Sequence, residues 1–175
     1  MHPNNPAESL RNTLPLADEI LSLDVLTLRE HTESAGDTID SATQHSAIQN
    51  LLAVSELALV RRNGQLLAYA MLQPRGDDCW FVTGFNTHPA HRSAPVFREI
   101  FAQISAIAAR RNIAVLQSNV YKTNRLSMAF HRRLGFKITR ENTKGVEFTA
   151  ALTDLTTHPF ARERRTPYME MVLRG

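Results

Sequence analysis

Asn124-Arg125-Leu126-Ser127-Met128-Ala129-Phe130-His131-Arg132-Arg133-Leu134-Gly135-Phe136 reads as one helix with both ends marked. Asn124 is a preferred N-cap residue, because its side-chain oxygen satisfies an amide of the first turn. Gly135 stops the helix after Leu134, and Phe136 supplies the apolar lock of a glycine C-cap. Working outward, Ile113 to Val120 reads as a strand before this helix and Phe136 to Arg140 as a strand after it. Further upstream a helix starts near Pro95 or Val96, with Phe97, Ile100, Phe101, Ile104, Ile107 and Ala108 recurring along one face. Arg110 and Arg111 fall in its last turn, where cations suit the negative end of the dipole.

Before that helix the hydrophobic period changes from helical to extended. Leu57 to Val60 and Leu66 to Leu72 flank Asn63-Gly64, a pair that tolerates positive φ and marks a hairpin. A turn at residues 74–78 leads to a third strand, Cys79 to Thr87, so three consecutive antiparallel strands are predicted. Leu14 to about Glu33 and Ser41 to Val54 read as two helices, the first closed by Gly36. Residues 1–13 are polar and proline-bearing, and are expected to be a disordered N-terminus ahead of a single domain at 14–175. The last strand is placed at Tyr168 to Leu173, joined to the strand at Phe136 by a long insertion at 143–167. The predicted class is α/β, a mixed and mostly antiparallel sheet with helices on both faces.

A chain of 175 residues suits one domain at roughly 150 residues each. No apolar run approaches the length of a membrane span, and the N-terminus lacks the basic start and apolar core of a signal peptide. Cys79 is the only cysteine, which excludes an intramolecular disulfide and a thiolate cluster. A cytoplasmic protein with no membrane partner is expected. The net charge of +3 hides an asymmetry: residues 1–60 carry nine acids against Arg11 and Arg29, whereas residues 92–140 carry ten bases against Glu99. Such a basic block asks for an anionic partner or a solvated face.

The element order resembles that of the GNAT superfamily of N-acetyltransferases, over about residues 41–142. Asn124 to Phe136 resembles the family signature Asn-x-x-(small)-x-x-Phe-Tyr-x-x-x-Gly-Phe. Thr87-His88-Pro89-Ala90-His91-Arg92-Ser93-Ala94-Pro95-Val96-Phe97-Arg98-Glu99-Ile100 resembles the family's strand end, pyrophosphate loop and following helix. The resemblance implies acetyl transfer from acetyl-CoA to an amine by direct attack. It implies coenzyme contacts at Arg92, Ser93, Ala94, Pro95, Val96 and Phe97, and at Asn124. Backbone groups around Asn86 and Thr87 would hold the acetyl carbonyl and the pantetheine arm.

Two departures from the family pattern stand out. The family loop runs Arg/Gln-x-x-Gly-x-Gly/Ala, so that backbone amides approach the phosphates. Here Arg92 matches, but Pro95 and Phe97 occupy the glycine positions and Pro95 brings no N–H. His131 stands where the family has a tyrosine that protonates the departing thiolate, so His131 is the candidate acid; a histidine exchanges protons near neutrality. Its bland alternative is a solvated side chain beside Arg132 and Arg133. The attacking amine must be neutral although its pKa is about 10; Cys79 to Thr87 contains no acid to deprotonate it, which leaves His88, His91 and a water chain held by Asn86 or Thr87 as the candidate bases.

Asn124 also has a plain role as a helix cap, and His88 with His91 lack the partners a metal would need, so no metal is expected. Trp80 and Phe81 read as core or as homodimer packing. Nucleic acid is disfavoured as a partner, since the arginines are scattered without interleaved aromatics. Arg162, Arg164 and Arg165 in the insertion are candidates to select an anionic small-molecule amine. The competing functions are a catalytically degenerate binding protein and an acyltransferase using a longer acyl group or a carrier-protein donor.

Overall fold

The computed structural model describes the backbone of residues 6–157 and the side chains of residues 16–155. Six strands form one sheet: β1 (Glu56–Arg62), β2 (Gln65–Pro74), β3 (Cys79–Thr87), β4 (Val115–Tyr121), β5 (Lys137–Glu141) and β6 (Gly145–Ala151). Their order is β1-β2-β3-β4-β6-β5, and every neighbouring pair is antiparallel except β3 with β4. Helices α1 (Pro6–Ser34) and α2 (Ser41–Val54) pack on one face. On the other lie α3 (Ala94–Arg111), α4 (Arg125–Arg133) and α5 (Leu152–Thr157). The predicted α/β class holds.

Covering both faces explains why β2 is apolar without interruption from Leu66 to Leu72, all of it buried. Tyr69 and Met71 join Ile20, Leu23 and Ile48 beneath α1 and α2. Ala68, Ala70 and Leu72 join Val96, Ile100 and Ile107 beneath α3. Each large side chain so buried stabilises the fold by about 1.5–3 kcal/mol. The β1–β2 turn is the predicted one: Asn63 (φ 51°) and Gly64 (φ 82°) both take the left-handed conformation that a two-residue hairpin matches to strand twist.

The ends of α3 and α4 are set by local chemistry. Asn112 closes α3 at φ 52°, its amide donating to Ala108 O. In α4, Asn124 Oδ1 accepts from the Ser127 amide at 3.0 Å. At the other end Gly135 (φ 92°) donates to Arg132 O and Phe136 to His131 O, the paired bonds of a glycine-terminated helix. Phe136 is buried in the core as the expected lock.

The two ends of the chain depart from the sequence reading. Helix α1 begins at Pro6, ahead of the start expected at Leu14. The expected insertion at 143–167 does not exist as such, because β6 occupies Gly145–Ala151 and pairs with both β4 and β5. Val146, Phe148 and Ala150 point into the core, while Asn142 Oδ1 accepts from the amides of Lys144 and Gly145 to shape the turn. Three alternating apolar residues behind a polar turn are a weak signal beside the long run at Tyr168. The strand expected at Tyr168 to Leu173, and Arg162, Arg164 and Arg165, lie outside the described residues.

Candidate active site

The centre of the sheet is parted. Strands β3 and β4 pair only from Cys79 with Val115 to Val82 with Ser118, yet β3 continues to Thr87 and β4 to Tyr121. The pairing ends where β3 bulges: Leu72 of β2 faces Val82 and Met71 faces Gly84, which leaves Thr83 as the extra residue. A bulge increases twist and turns the strand away from its neighbour, and here it opens a gap between two central strands. Thr83 Oγ1 donates to Met71 O at 3.3 Å. Gly84 is required where it stands, since a Cβ there would lie 2.8 Å from Tyr69 Cε2 and 2.9 Å from Met71 Cε.

On the α1 side of this gap the side chains are locked. Asp24 of α1 is buried, and its carboxylate accepts from Tyr69 OH at 2.5 Å, Asn86 Nδ2 at 3.1 Å and Gln44 Nε2 at 3.4 Å. Burial raises the Asp24 pKa against the pull of these donors, and raises that of Tyr69 well above the ordinary phenol value. Asn86 also donates to Thr27 Oγ1, and its Oδ1 accepts from the Thr87 amide at 3.0 Å. Of the two residues expected to greet a pantetheine arm, Asn86 thus turns its side chain to α1, and it occupies the Thr87 amide. No acid on β3 was found in the sequence because the nearby acid comes from α1. Its signal was present: Asp24 falls one turn after Ile20 and next to Leu23, on the stripe that is buried.

On the α3 side lies a cavity of about 380 Å³. Its walls are apolar, from Leu72, Val82, Leu116, Leu134 and Leu155 among others, and Arg98 and His131 bring its charge and its titratable ring. Phe85, Phe101 and Phe130 line it, and together with Phe97 they form a ring cluster with contacting centroids 5.6–6.4 Å apart. That cluster ties β3, the first turn of α3, and α4 into one packing unit.

His131 packs between aromatic rings, 4.8 Å from Phe148 in a stacked arrangement and 5.1 Å from Phe136 edge-on. Its Nδ1 lies 2.8 Å from the Ser127 carbonyl oxygen. A carbonyl only accepts, so this nitrogen carries the hydrogen. Burial lowers the ring's pKa below the ordinary histidine value, and the Ser127 bond offsets only part of that. Near neutral pH the ring is therefore uncharged, with its lone pair on Nε2.

The loop expected to bind phosphates runs from the end of β3 through a 3-10 turn at Pro89–His91 into α3. His88 Nδ1 accepts from the Ala90 amide at 3.3 Å, which gives that histidine a capping role. Ser93 is the N-cap of α3 without a side-chain cap bond. Helix geometry leaves the amides of Ala94 and Val96 without an intrahelical acceptor, and Pro95 has none to offer. The Phe97 amide is not free, because it donates to Ser93 O at 3.1 Å. Val96 and Phe97 send their side chains into the core. Arg92 is half-buried and has no ion-pair partner among the described residues; desolvation lowers its pKa.

The basic block separates into two sets. Arg110 and Arg111 both bind Glu56, and Lys122 binds Glu141 at 3.0 Å. Arg92, Arg98, Arg125 and Arg132, on the loop and on α3 and α4, pair with no carboxylate among the described residues. Asn124 acts as the α4 cap, with its Nδ2 left over. Trp80 belongs to the core rather than to a dimer surface, and Phe81 lies 5.2 Å under the Arg75 guanidinium. Among the described residues no group of three or more His, Cys, Asp or Glu side chains could hold a metal, and no helix is long and apolar enough to cross a membrane.

The chain is thus a mixed α/β domain whose central parallel strands part at a bulge, with an arginine that is unpaired among the described residues just before α3. The chain belongs to the GNAT acetyltransferase family, whose model, Acetyltransferase (GNAT) family, matches residues 23–136. No curated protein matches the sequence. Among solved structures, the fold is similar to the PaiA N-acetyltransferase of Thermoplasma acidophilum in complex with coenzyme A. That likeness has a TM-score of 0.63 at 10% identity over 79% of this chain and 94% of that one. An aminoglycoside 6'-N-acetyltransferase complexed with coenzyme A has a TM-score of 0.62 at 13% identity, over 81% and 93%. A GNAT family acetyltransferase from Elizabethkingia anophelis with acetyl-CoA bound has a TM-score of 0.52 at 14% identity, over 61% and 82%.

Proposed function

We propose that the protein transfers an acetyl group from acetyl-CoA to the amine of a small molecule by direct attack. The observation that carries this reading is Arg92: a half-buried guanidinium without a carboxylate among the described residues, next to a helix start with two uncommitted amides. Desolvated cations are stabilised by an anion, and a helix N-terminus is the backbone's own anion site. A pyrophosphate supplies that anion, with Arg92, Ser93, Ala94 and Val96 as its partners. The gap between β3 and β4 then receives the peptide-like arm, and the cavity beside His131 receives the thioester end. Asn124 Nδ2 is a further donor toward the arm. Solved relatives that hold coenzyme A or acetyl-CoA support that donor. An aminoglycoside-modifying relative supports a small-molecule amine as acceptor.

Titration calorimetry with acetyl-CoA tests the donor, and a thiol-release screen across primary amines tests the acceptor. Binding below about 100 μM, roughly −5.5 kcal/mol, together with amine-dependent release of coenzyme A, is the expected result. Binding without release from any amine would favour a degenerate binding protein, which Pro95 in the loop also suits.

A further inference from the structure

We propose that His131 is a proton shuttle that acts first as a base: Nε2 takes the proton of the attacking amine and then delivers it to the departing sulfur. This rests on the acetyl-CoA reading above and adds the direction of proton flow, which is opposite to that of a residue that starts as an acid.

The geometry fixes the starting state. Nδ1 is 2.8 Å from Ser127 O, and the Ser127 hydroxyl lies 3.4 Å from the same nitrogen. Helix α4 thus holds one ring nitrogen as a donor to its own backbone. The ring sits between Phe148 and Phe136, and a half-turn about its Cβ–Cγ bond would put Cδ2 in the place of Nδ1 and lose the bond to Ser127 O, so that bond fixes the orientation. The hydrogen bonds of the ring are both made through Nδ1, so Nε2 has no partner among the described residues, on a ring that lines the cavity. An imidazole in this state accepts a proton and has none to give from Nε2.

Its neighbours do not supply an alternative. From α3, Arg98 is the charged side chain at the cavity, and a guanidinium does not act as a base. From β6 the contact is Phe148, and α5 contributes Leu152 and Leu155. On α4 itself the adjacent charges are Arg132 and Arg133. No carboxylate lines the cavity among the described residues, so Nε2 is its one proton acceptor with a usable affinity.

The step balances on this one residue. The amine lone pair attacks the thioester carbonyl carbon and forms the C–N bond, while one N–H proton passes to Nε2. The C–S bond then breaks, its electron pair leaves on sulfur, and the Nε2 proton goes to that sulfur. The products are the amide and the free thiol of coenzyme A, and His131 returns neutral with Nδ1 still bonded to Ser127. No second acid is needed.

Four measurements test this. Nitrogen-detected NMR of the histidine rings in the unliganded protein is expected to give His131 as the neutral Nδ1–H tautomer at pH 7. The His131→Gln variant is expected to bind acetyl-CoA within threefold of the parent, yet to lose about 10²-fold or more in kcat. The ratio of parent to variant rates at equal pH cancels the ionisation of the amine. A base-first shuttle makes that ratio rise from pH 5 to pH 7, whereas an acid-first residue makes it fall. Imidazole added to His131→Ala is expected to restore part of the rate. An Nε2–H tautomer, a ratio that falls with pH, or a variant within threefold of the parent in kcat overturns the shuttle while leaving the acetyl-CoA reading intact. Failure of the parent protein to bind acetyl-CoA overturns both.

Discussion

The phenol of Tyr69 on β2 donates to Asp24 Oδ1 on α1 across 2.5 Å, and both side chains are buried. This bond fastens the acidic N-terminal helix to the sheet one strand from the gap. Removing it in Tyr69→Phe leaves a buried carboxylate short of a donor, at about 1–3 kcal/mol. The loss depends on pH in a definite sense. The Asp24 pKa is already raised above its unfolded value of 3.8, so its charged form weighs against folding as pH rises through the folded value. Losing Tyr69 raises it further. Denaturant unfolding is expected to show a larger loss at pH 7 than at pH 4, and equal losses would refute the charge-based account.

Gly84→Ala is expected to destabilise the protein by about 1–3 kcal/mol, because its methyl would meet the fully buried Tyr69 ring. Gly76→Ala, whose added methyl meets nothing closer than 3.9 Å, is expected to stay within about 0.5 kcal/mol. Thermal melts of the two variants side by side separate crowding at the bulge from a general glycine effect.

Arg92→Ala is expected to weaken acetyl-CoA binding by about 10- to 100-fold, the scale of a charge-assisted hydrogen bond, with little change in unfolding midpoint. Arg110→Ala is expected to leave that affinity within twofold, since its guanidinium is committed to Glu56. Calorimetry on both variants decides whether the basic block acts as a whole or through its unpaired members. Equal weakening would mean that only net charge matters.

Pro95→Gly adds an amide at the start of α3 and removes a stiff residue from it. About one net hydrogen bond, 0.5–1.5 kcal/mol, is expected as roughly three- to tenfold tighter coenzyme binding. The looser unfolded chain is expected to lower the melting temperature. Unchanged affinity would show that the loop binds without a donor at this position.

What the sequence made legible was whatever is written in local backbone chemistry. Asn63-Gly64 announced its turn, the stripe from Phe97 to Ala108 its helix, and Asn124 with Gly135-Phe136 both ends of α4. Strand β6 was missed because Val146, Phe148 and Ala150 are only three inward residues, and a more apolar run at Tyr168 drew the last strand away from them. Of the candidate site, Arg92, Asn124 and His131 were legible from their spacing in a family motif. The protonation of His131 was not, since it depends on a carbonyl four residues back and on rings from β6 and the α4–β5 junction. Asp24 was hidden for a similar reason: burial of one acid among nine is decided by Tyr69 and Asn86, 45 and 62 positions away.

The seam between β3 and β4 has a mechanical consequence. With only four paired residues on each strand, the six-stranded sheet behaves as two three-stranded plates joined along a short weld. Any extended molecule that hydrogen-bonds along the open part lengthens the weld, so the rigidity of the protein becomes a property it shares with its ligand. Amide hydrogens at the ends of β3 and β4 are where that sharing is read, exchanging fast in the empty protein and slowly once the cleft is filled.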